Sequence, residues 1–310
     1  MVDPMRLERL HEKFCAPHPR VSCVRRLLRA AAVLCLSGVA AALPMAAAAL
    51  SPANQAAKQI VQTVINNEII ADNNDHTKWM YRDAYKSPGK NVVKLKVETN
   101  DGTLAKRILI DGHPLDAQQQ QQDEAAMQKV INDPSVRAQQ RKNSAHDDAQ
   151  ALALMKMLPE GFLWTETGES GGKIQLSFQP NPAFNPPTYA SRVFAAMAGT
   201  MTVDKQQMRL EDLSGKLIRP VEFGWGLFGK IQSGGTFHII RTQVAPSKWE
   251  ITQTHVHIQG HILFFKSISQ QEDEITSGYV RTPHGLTLKQ AYTMLQSGEA
   301  AKMIAAAEKK

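Results

Sequence analysis

The sequence TFHIIRTQVAPSKWEITQTHVHI, residues 236–258, decides the fold class. It contains two strand-length runs, Thr236–Val244 and Trp249–Ile258, that are rich in β-branched and aromatic residues and are joined by a short connection. Antiparallel strands can be joined this closely, whereas parallel neighbours need a crossover of a dozen or more residues. The stretch therefore predicts two neighbouring strands of an antiparallel sheet.

Strand-like runs of the same kind occupy most of the chain on either side of this stretch. The Asp101-Gly102 pair between two of them is a strong hairpin signal, because both residues tolerate the backbone conformation of a two-residue turn. Repeated short strands at hairpin spacing favour an antiparallel sheet or barrel over parallel βαβ units. The further predicted strands are Trp79–Tyr85, Asn91–Glu98, Leu104–Ile110, Phe162–Thr167, Lys173–Gln179, Ala195–Val203, Gln207–Leu213, Lys216–Val221, Ile262–Ser269 and Glu274–Val280.

Helical patterns open, interrupt and close the strand-rich part of the chain. Ser51-Pro52 has the chemistry of a helix start, and apolar residues then recur on one helical face. Residues 116–158 predict a pair of helices that is broken once, at Asp133-Pro134. Thr287–Gln290 has a capping-box pattern that starts a C-terminal helix. We therefore predict a single β-rich domain with helices over residues 51–310.

The first 50 residues have the pattern of an export signal. Seven basic and three acidic residues lie before Ala30, and no charged residue follows as far as Leu50. Small residues at the end of this apolar run offer cleavage sites near residues 46–50. We expect a signal peptide over residues 1–50, the general secretory route and a periplasmic mature protein. An uncleaved anchor is the alternative, since about 20 apolar residues span a bilayer.

All three cysteines, Cys15, Cys23 and Cys35, lie in this leader. Cys35 sits in the middle of the apolar run, so it is not placed for a lipid anchor. The rest of the chain offers no thiol for a disulfide, a metal site or a nucleophile. Of the 36 basic and 29 acidic residues, seven and three lie in the leader, so the formal charge falls from +7 to +3 without it. The high charge therefore gives little support to nucleic-acid binding.

Two segments match the residue patterns of catalytic motifs, but their predicted secondary structure does not fit those motifs. Gly224-x-Gly226-x-x-Gly229 matches the dinucleotide fingerprint, yet a strand-like run follows where the fingerprint needs a helix. Gly168-x-Ser170-x-Gly172 matches the nucleophile elbow, yet it lies between two predicted strands. We therefore predict that the protein is not an enzyme and needs no cofactor.

The histidines give a weaker signal. His255 and His257 share one face of a predicted strand, and by alternation Trp249 and Ile251 lie on that face too. Such a cluster could hold zinc or copper, but no acidic residue within the run completes the site. Surface or partly buried histidines are therefore favoured over a metal site. Two further histidines could approach through hairpin pairing: His238 and His261.

Lysine residues predict a basic stripe on the early strands. Charged outward faces are normal on sheets, where they discourage edge pairing. The stripe could also meet anionic lipid head groups or a cell-wall polymer. Its residues are Lys90, Lys94, Lys96, Lys106 and Arg107.

Residues 221–229 concentrate large apolar side chains among glycines. A soluble surface seldom exposes such side chains unless they contact a ligand or a partner. Two interpretations stay open for this segment, which are plain core packing and a gate or binding lip.

One block of the chain resembles a known group of proteins. Phe178–Pro182, Arg192–Phe194 and Met197–Gly199 are similar to uncharacterised envelope proteins of acidobacterial type, grouped with outer-membrane lipoprotein-sorting proteins. In architecture the chain also resembles the periplasmic lipoprotein carriers. That resemblance implies a mainly β fold with helices (α+β), in which a large antiparallel sheet curls into a half-open barrel covered by N-terminal, inserted and C-terminal helices. It also implies an apolar cavity for acyl chains.

These expectations favour a periplasmic or envelope binding or carrier protein for a hydrophobic ligand, either a lipid or the acyl chains of a lipoprotein. The rival is a structural or regulatory envelope module that binds another protein. A third interpretation is an exported hydrolase or a histidine-based metalloprotein. The predicted ligand-binding residues are Phe223, Trp225, Leu227, Phe228, Phe237, Trp249 and Phe264.

Overall fold

The computed structural model describes residues 51–223, 229–262 and 266–309. Within these ranges twelve strands form one sheet and six helices pack on it. The strands are β1 (Trp79–Ser87), β2 (Lys90–Glu98), β3 (Thr103–Ile110), β4 (Phe162–Ser170), β5 (Lys173–Pro180), β6 (Met197–Asp204), β7 (Arg209–Leu217), β8 (Val221–Phe223), β9 (Gly229–Ile231), β10 (Thr236–Ala245), β11 (Lys248–Ile262) and β12 (Lys266–Arg281). The helices are α1 (Pro52–Asn74), α2 (Ala117–Asn132), α3 (Pro134–Gly161), α4 (Tyr189–Phe194), α5 (Leu288–Ser297) and α6 (Glu299–Ala307).

Ten strands follow one path across the sheet, in the order β3-β2-β1-β12-β11-β10-β7-β6-β5-β4. The short β8–β9 hairpin joins this path where β9 pairs with β11. Every pairing is antiparallel, and the first meander, β1 to β3, joins the rest of the sheet through the pairing of β1 with β12. β3 and β4 do not pair with each other in the described residues, so the sheet is open. The α+β fold with a half-open antiparallel sheet is confirmed.

α1 and the second half of α3 pack on one face of the sheet, which we call the inner face. Phe178, Gly199, Gly215 and Phe237 lie in one cross-strand row on that face. A Cβ atom on Gly215 would lie 2.4 Å from the Phe237 ring, so glycine is needed there to admit the ring. Gly215 shows how the core accommodates a large aromatic residue, since the missing side chain makes room for the Phe237 ring on the neighbouring strand.

The opposite face, here the outer face, is covered over β1, β2 and β3 by three helices, α2, α5 and α6. Met80, Val97 and Leu104 form the strand side of this second apolar cluster. α6 approaches β12 so closely that a Cβ atom on Gly278 would lie 2.6 Å from Ile304. The sheet is therefore packed by helices on both faces, but at different ends of its strand order.

The predicted helical regions are confirmed, and so is the Thr287 capping box, in which the threonine side chain accepts from the Gln290 backbone N–H. Two helices were not predicted. α4 precedes β6, and α6 follows a break at Gly298, whose φ of 77° ends α5. None of the helices in the described ranges is long and apolar enough to cross a membrane.

Two strand predictions are wrong. Lys216–Val221 is not a strand, because β7 ends at Leu217 and β8 begins at Val221. The two strands predicted at 262–269 and 274–280 are one strand, β12. The polar residues between them stay in the strand because their backbones pair with β11, as Asp273 does with His255.

Candidate functional site

The inner face has an apolar half that is formed by β4 to β7, β10 and β11. Five aromatic rings cluster there at centroid distances of 4.7 to 6.0 Å. The Trp164 Nε1 donates a hydrogen bond to the Leu158 carbonyl oxygen, 3.0 Å away, and so satisfies its one polar group against α3. All five rings are buried. They belong to Phe162, Trp164, Phe178, Phe194 and Phe237.

α1 covers this apolar half with an apolar stripe and one charged residue. Its stripe contains Val61, Val64 and Ile65. One turn further on, Glu68 is 2% exposed and meets two arginines of the sheet. The Arg209 guanidinium on β7 forms a bidentate ion pair with the Glu68 carboxylate, and both N–O distances are 2.9 Å.

The other partners of Glu68 complete an ion network under α1. Arg241 on β10 pairs with the same carboxylate, and the Leu210 backbone N–H donates to it over 2.9 Å. Burial raises the pKa of Glu68, but the charges of Arg241 and Arg209 and the hydrogen bonds outweigh this, so the pKa is lowered from 4.5. Glu68 is therefore ionised at neutral pH and holds α1 to two strands.

Contacts near its two ends also hold α1. The Lys58 Nζ lies 2.6 Å from Glu160 of α3, and the Lys248 Nζ lies 2.9 Å from Asp75 just after the helix. None of the strand pairings of the sheet runs through α1. The helix is therefore a cover that is attached by side chains, and the sheet ladder does not depend on it.

The inner face becomes polar where the sheet continues through β12, β1 and β2. Asp83 and Lys96 form an ion pair of 2.5 Å with both side chains almost fully buried. The Glu98 Oε2 accepts a hydrogen bond from the Trp79 backbone N–H over 3.0 Å. Beside these charges, the Tyr279 ring stacks on Tyr81 at a centroid distance of 5.0 Å and meets the Trp79 ring edge to face at 5.9 Å.

The buried residues of α3 also change from polar to apolar along the helix. Its first half buries the polar residues Gln140 and Ser144, and its second half buries Ala151, Leu154 and Leu158. The inner face and its helices therefore place an apolar half beside a polar half. Such a surface suits an amphiphile, whose chain and head group have these two characters.

Two of the predicted ligand-binding residues have described side chains. Phe237 belongs to the aromatic cluster, and the Trp249 Nε1 donates to Gln207 Oε1 over 3.1 Å beside the α1 ion network. Phe223 is the last residue of β8. The other four lie outside the described residues, and they are Trp225, Leu227, Phe228 and Phe264.

The interpretation of the histidine face is corrected by a bulge in β11. Ile240 pairs with Gln253 but Arg241 pairs with Ile251, which leaves Thr252 as an extra residue. A bulge of this kind reverses the alternation of faces. Trp249 and Ile251 therefore point inward, whereas His255 and His257 lie on the outer face.

Two histidines on the outer face pair with carboxylates of neighbouring strands. His238 Nε2 lies 2.5 Å from Asp212 Oδ2, and His255 Nδ1 pairs with Asp273. The sequence run around the histidines did not indicate these two acids, because Asp212 lies on β7 and Asp273 on β12. No group of three or more His, Cys, Asp or Glu side chains in the described ranges is placed to hold a metal ion.

The predicted basic stripe is not a continuous outward surface. Lys96 pairs with Asp83 on the inner face, and Arg107 pairs with Asp123 of α2 over 2.6 Å. The Lys106 Nζ donates to the Leu295 carbonyl oxygen at the end of α5 over 3.1 Å. Lys96 is thus buried on the inner face, whereas α2 and α5 supply the partners of the half-buried Arg107 and Lys106.

The structure describes one catalytic motif and part of the other. Ser170 ends β4 in an antiparallel hairpin with β5, so it is not at a strand-to-helix turn. Gly229 begins β9, whereas Gly224 and Gly226 lie outside the described residues. Comparison of the chain with protein-family models, curated proteins and solved structures finds no match.

Proposed function

We propose that the protein is a non-catalytic binding or carrier protein of the cell envelope whose ligand is a lipid or the acyl chains of a lipoprotein. The observation that carries this proposal is the apolar half of the inner face under α1. This half belongs to an open sheet, and α1 and the second half of α3 cover it. Displacing α1 would uncover the apolar residues beneath it without breaking a strand pairing, although the ion pairs of Glu68 with Arg209 and Arg241 would be lost.

The energetics suit a ligand that is bound without reactive groups. Apolar burial contributes about 25 cal/mol per Å², or roughly 0.8 kcal/mol for each buried methylene. An acyl chain that replaced α1 on the aromatic cluster would thus regain apolar burial that the helix gives up. The leader pattern of residues 1–50 supports an envelope location, where such ligands are found.

One observation favours a second candidate, an envelope module that binds another protein. The five aromatic rings are packed edge to face or tilted against one another, and each is 6% exposed or less. Close packing of this kind is what a permanent core needs. In this alternative α1 stays in place and a partner protein binds elsewhere on the surface.

Mass spectrometry on the full chain, purified from an envelope fraction without detergent, tests the proposal. A lipid or lipoprotein that is present in stoichiometric amount in native spectra, and is identified after extraction, would support the carrier. A protein that is empty, and stays empty when phospholipid vesicles are added, would favour the protein-binding module.

Variants in the two apolar clusters separate ligand contact from stability. Phe237→Ala removes a ring from the inner cluster, and Leu295→Ala removes a similarly buried side chain from the outer one. Both should destabilise the fold by several kcal/mol, since each leaves a cavity. We expect only Phe237→Ala to reduce the amount of retained lipid. Equal retention by both variants would count against the inner face as the ligand site.

A further inference from the structure

Three side chains of the polar half carry buried polar atoms without a hydrogen-bond partner in the described part of the chain. They are the Nε1 of Trp79, the Oγ1 of Thr103 and both amide atoms of Gln140. The residues are 4%, 0% and 3% exposed. Roughly 90% or more of buried polar groups in proteins have a partner, so four such atoms need an explanation.

Trp79 and Thr103 lie on either side of one residue in a cross-strand row, and Gln140 lies beside the turn next to Thr103; we call this region the Gln140 corner. Glu98 lies between the other two strand residues, because it is paired with Thr103 on β3 and accepts from the Trp79 backbone on β1. α3 closes the corner. The Gln140 Oε1 lies 3.9 Å from the position that a Cβ atom on Gly102, next to Thr103, would occupy.

The polar atoms of the Gln140 corner would be satisfied by a bound molecule that both donates and accepts hydrogen bonds. The Trp79 N–H and the Gln140 amide N–H₂ require acceptors, whereas the Gln140 Oε1 requires a donor. An anion would meet the carboxylate of Glu98, and a cation would meet the two N–H donors. A hydroxyl-bearing neutral molecule avoids both conflicts.

We propose that the Gln140 corner is an internal binding site for a small neutral molecule that donates and accepts hydrogen bonds, either ordered water or a small alcohol or amide. Buried water is common in proteins, at about one molecule for every 27 residues, and it typically bonds to two to four polar groups. The site lies in the polar half of the inner face, so it does not depend on acyl-chain binding to the aromatic cluster.

The test replaces the polar groups by apolar groups of similar shape. In an occupied corner, Gln140→Met and Thr103→Val remove hydrogen bonds to the guest, so each should lower the Tm of the full chain by several degrees. If the corner is empty, the same substitutions remove buried polar atoms that have no hydrogen-bond partner, so each should raise the Tm. Gln139→Met is the matched control, because Gln139 is exposed on the same helix. Its Tm should stay close to that of the unaltered protein.

A crystal structure of the unaltered protein gives a second measurement that does not depend on the stability of any variant. Separate peaks at hydrogen-bond distance from Gln140 would identify water, and continuous density with a matching mass increase in native spectra would identify an organic guest. Either result supports the site. An empty corner, together with a higher Tm of Gln140→Met, would overturn it.

Discussion

Glu68 shows how one charged residue can be kept inside an apolar core. Its carboxylate meets two guanidinium groups and a backbone N–H, so it is both neutralised and hydrogen-bonded. Taking the ions out of water is costly, and only this geometry repays the cost. Removing the Glu68 carboxylate would leave Arg209 and Arg241 buried without their ion pairs to it.

We therefore predict that Glu68→Gln lowers the free energy of unfolding by about 3–5 kcal/mol, the usual cost of breaking a buried ion pair. Urea denaturation at pH 7 measures this change. Glu160→Gln is the matched control, since Glu160 belongs to a more exposed pair with Lys58. That variant should lose only about 0.2–1 kcal/mol. Equal losses in the two variants would show that the network contributes little.

Glu68 also makes the free energy of unfolding depend on pH. The pKa of Glu68 is lower in the folded protein than the 4.5 of a free side chain, despite burial, because Arg241 and Arg209 favour the charged form. A depressed pKa stabilises the fold above the unfolded value, and the contribution is lost as the pH falls through the folded value. The stability difference between the unaltered protein and Glu68→Gln should therefore shrink below about pH 4.5. A difference that stayed constant down to pH 3 would contradict this assignment.

Gly199 is a residue whose role depends on the sheet around it. A Cβ atom at this position would lie 1.9 Å from the Ser214 carbonyl oxygen on the neighbouring strand. We predict that Gly199→Ala lowers the Tm strongly or prevents folding, because backbone on two strands must separate. Gly168→Ala is the control, since a Cβ atom there meets nothing within 4 Å. Thermal unfolding followed by circular dichroism compares them, and similar Tm values would contradict the steric argument.

At the scale of elements, strands and helix starts could be predicted from the sequence because their signals are local. Alternation, the Asp101-Gly102 turn and the Thr287 capping box each lie within a few residues. The bulge at Thr252 could not be predicted in this way, since it depends on how β11 pairs with β10. Because Thr252 is an extra residue in β11, Trp249 and His255 lie on opposite faces of the sheet.

The candidate site was harder to predict than the fold for a related reason. α3 has polar residues on its buried face near Gln140 and apolar ones near Leu154, so no single apolar stripe marks it. The ion partners of Glu68 lie more than 140 positions away along the chain. Of the predicted ligand-binding residues, only Phe237 and Trp249 have described side chains, and their contact with a ligand stays a prediction.

The start of α5 offers a test at the element scale. Thr287 accepts from the Gln290 backbone N–H, and Gln290 reaches back to the Thr287 backbone. Thr287→Ala removes the cap and should cost about 1 kcal/mol, as N-cap truncations do. Thr293→Ala, an exposed position later in α5, is the control and should cost less. Chemical denaturation of both variants measures the difference, and a larger loss at Thr293 would contradict the capping role.

At the scale of the whole molecule, two apolar clusters lie on opposite faces of one sheet. The inner cluster packs α1 and α3, and the outer one packs α2, α5 and α6. The sheet connects them, because β1, which carries Met80 of the outer cluster, pairs with β12, and β12 pairs with β11, which carries Ile251 and Val256 of the inner cluster. Disruption of either cluster would therefore disturb the strands that support the other, so the two should unfold together.

This coupling predicts how core mutations on the two faces behave. Leu176→Ala in the inner cluster and Leu104→Ala in the outer one each truncate a side chain that is 0% exposed, and each should cost about 2–5 kcal/mol. Because the clusters share one continuous sheet, both variants should shift one common transition, in which tryptophan fluorescence and far-ultraviolet circular dichroism coincide. If Leu104→Ala instead produced an early transition that left the surroundings of Trp164 folded, the outer helices would form a separate unit. The prediction of a single domain over residues 51–310 would then be wrong, and α1 could leave the inner face while the outer cluster stayed intact.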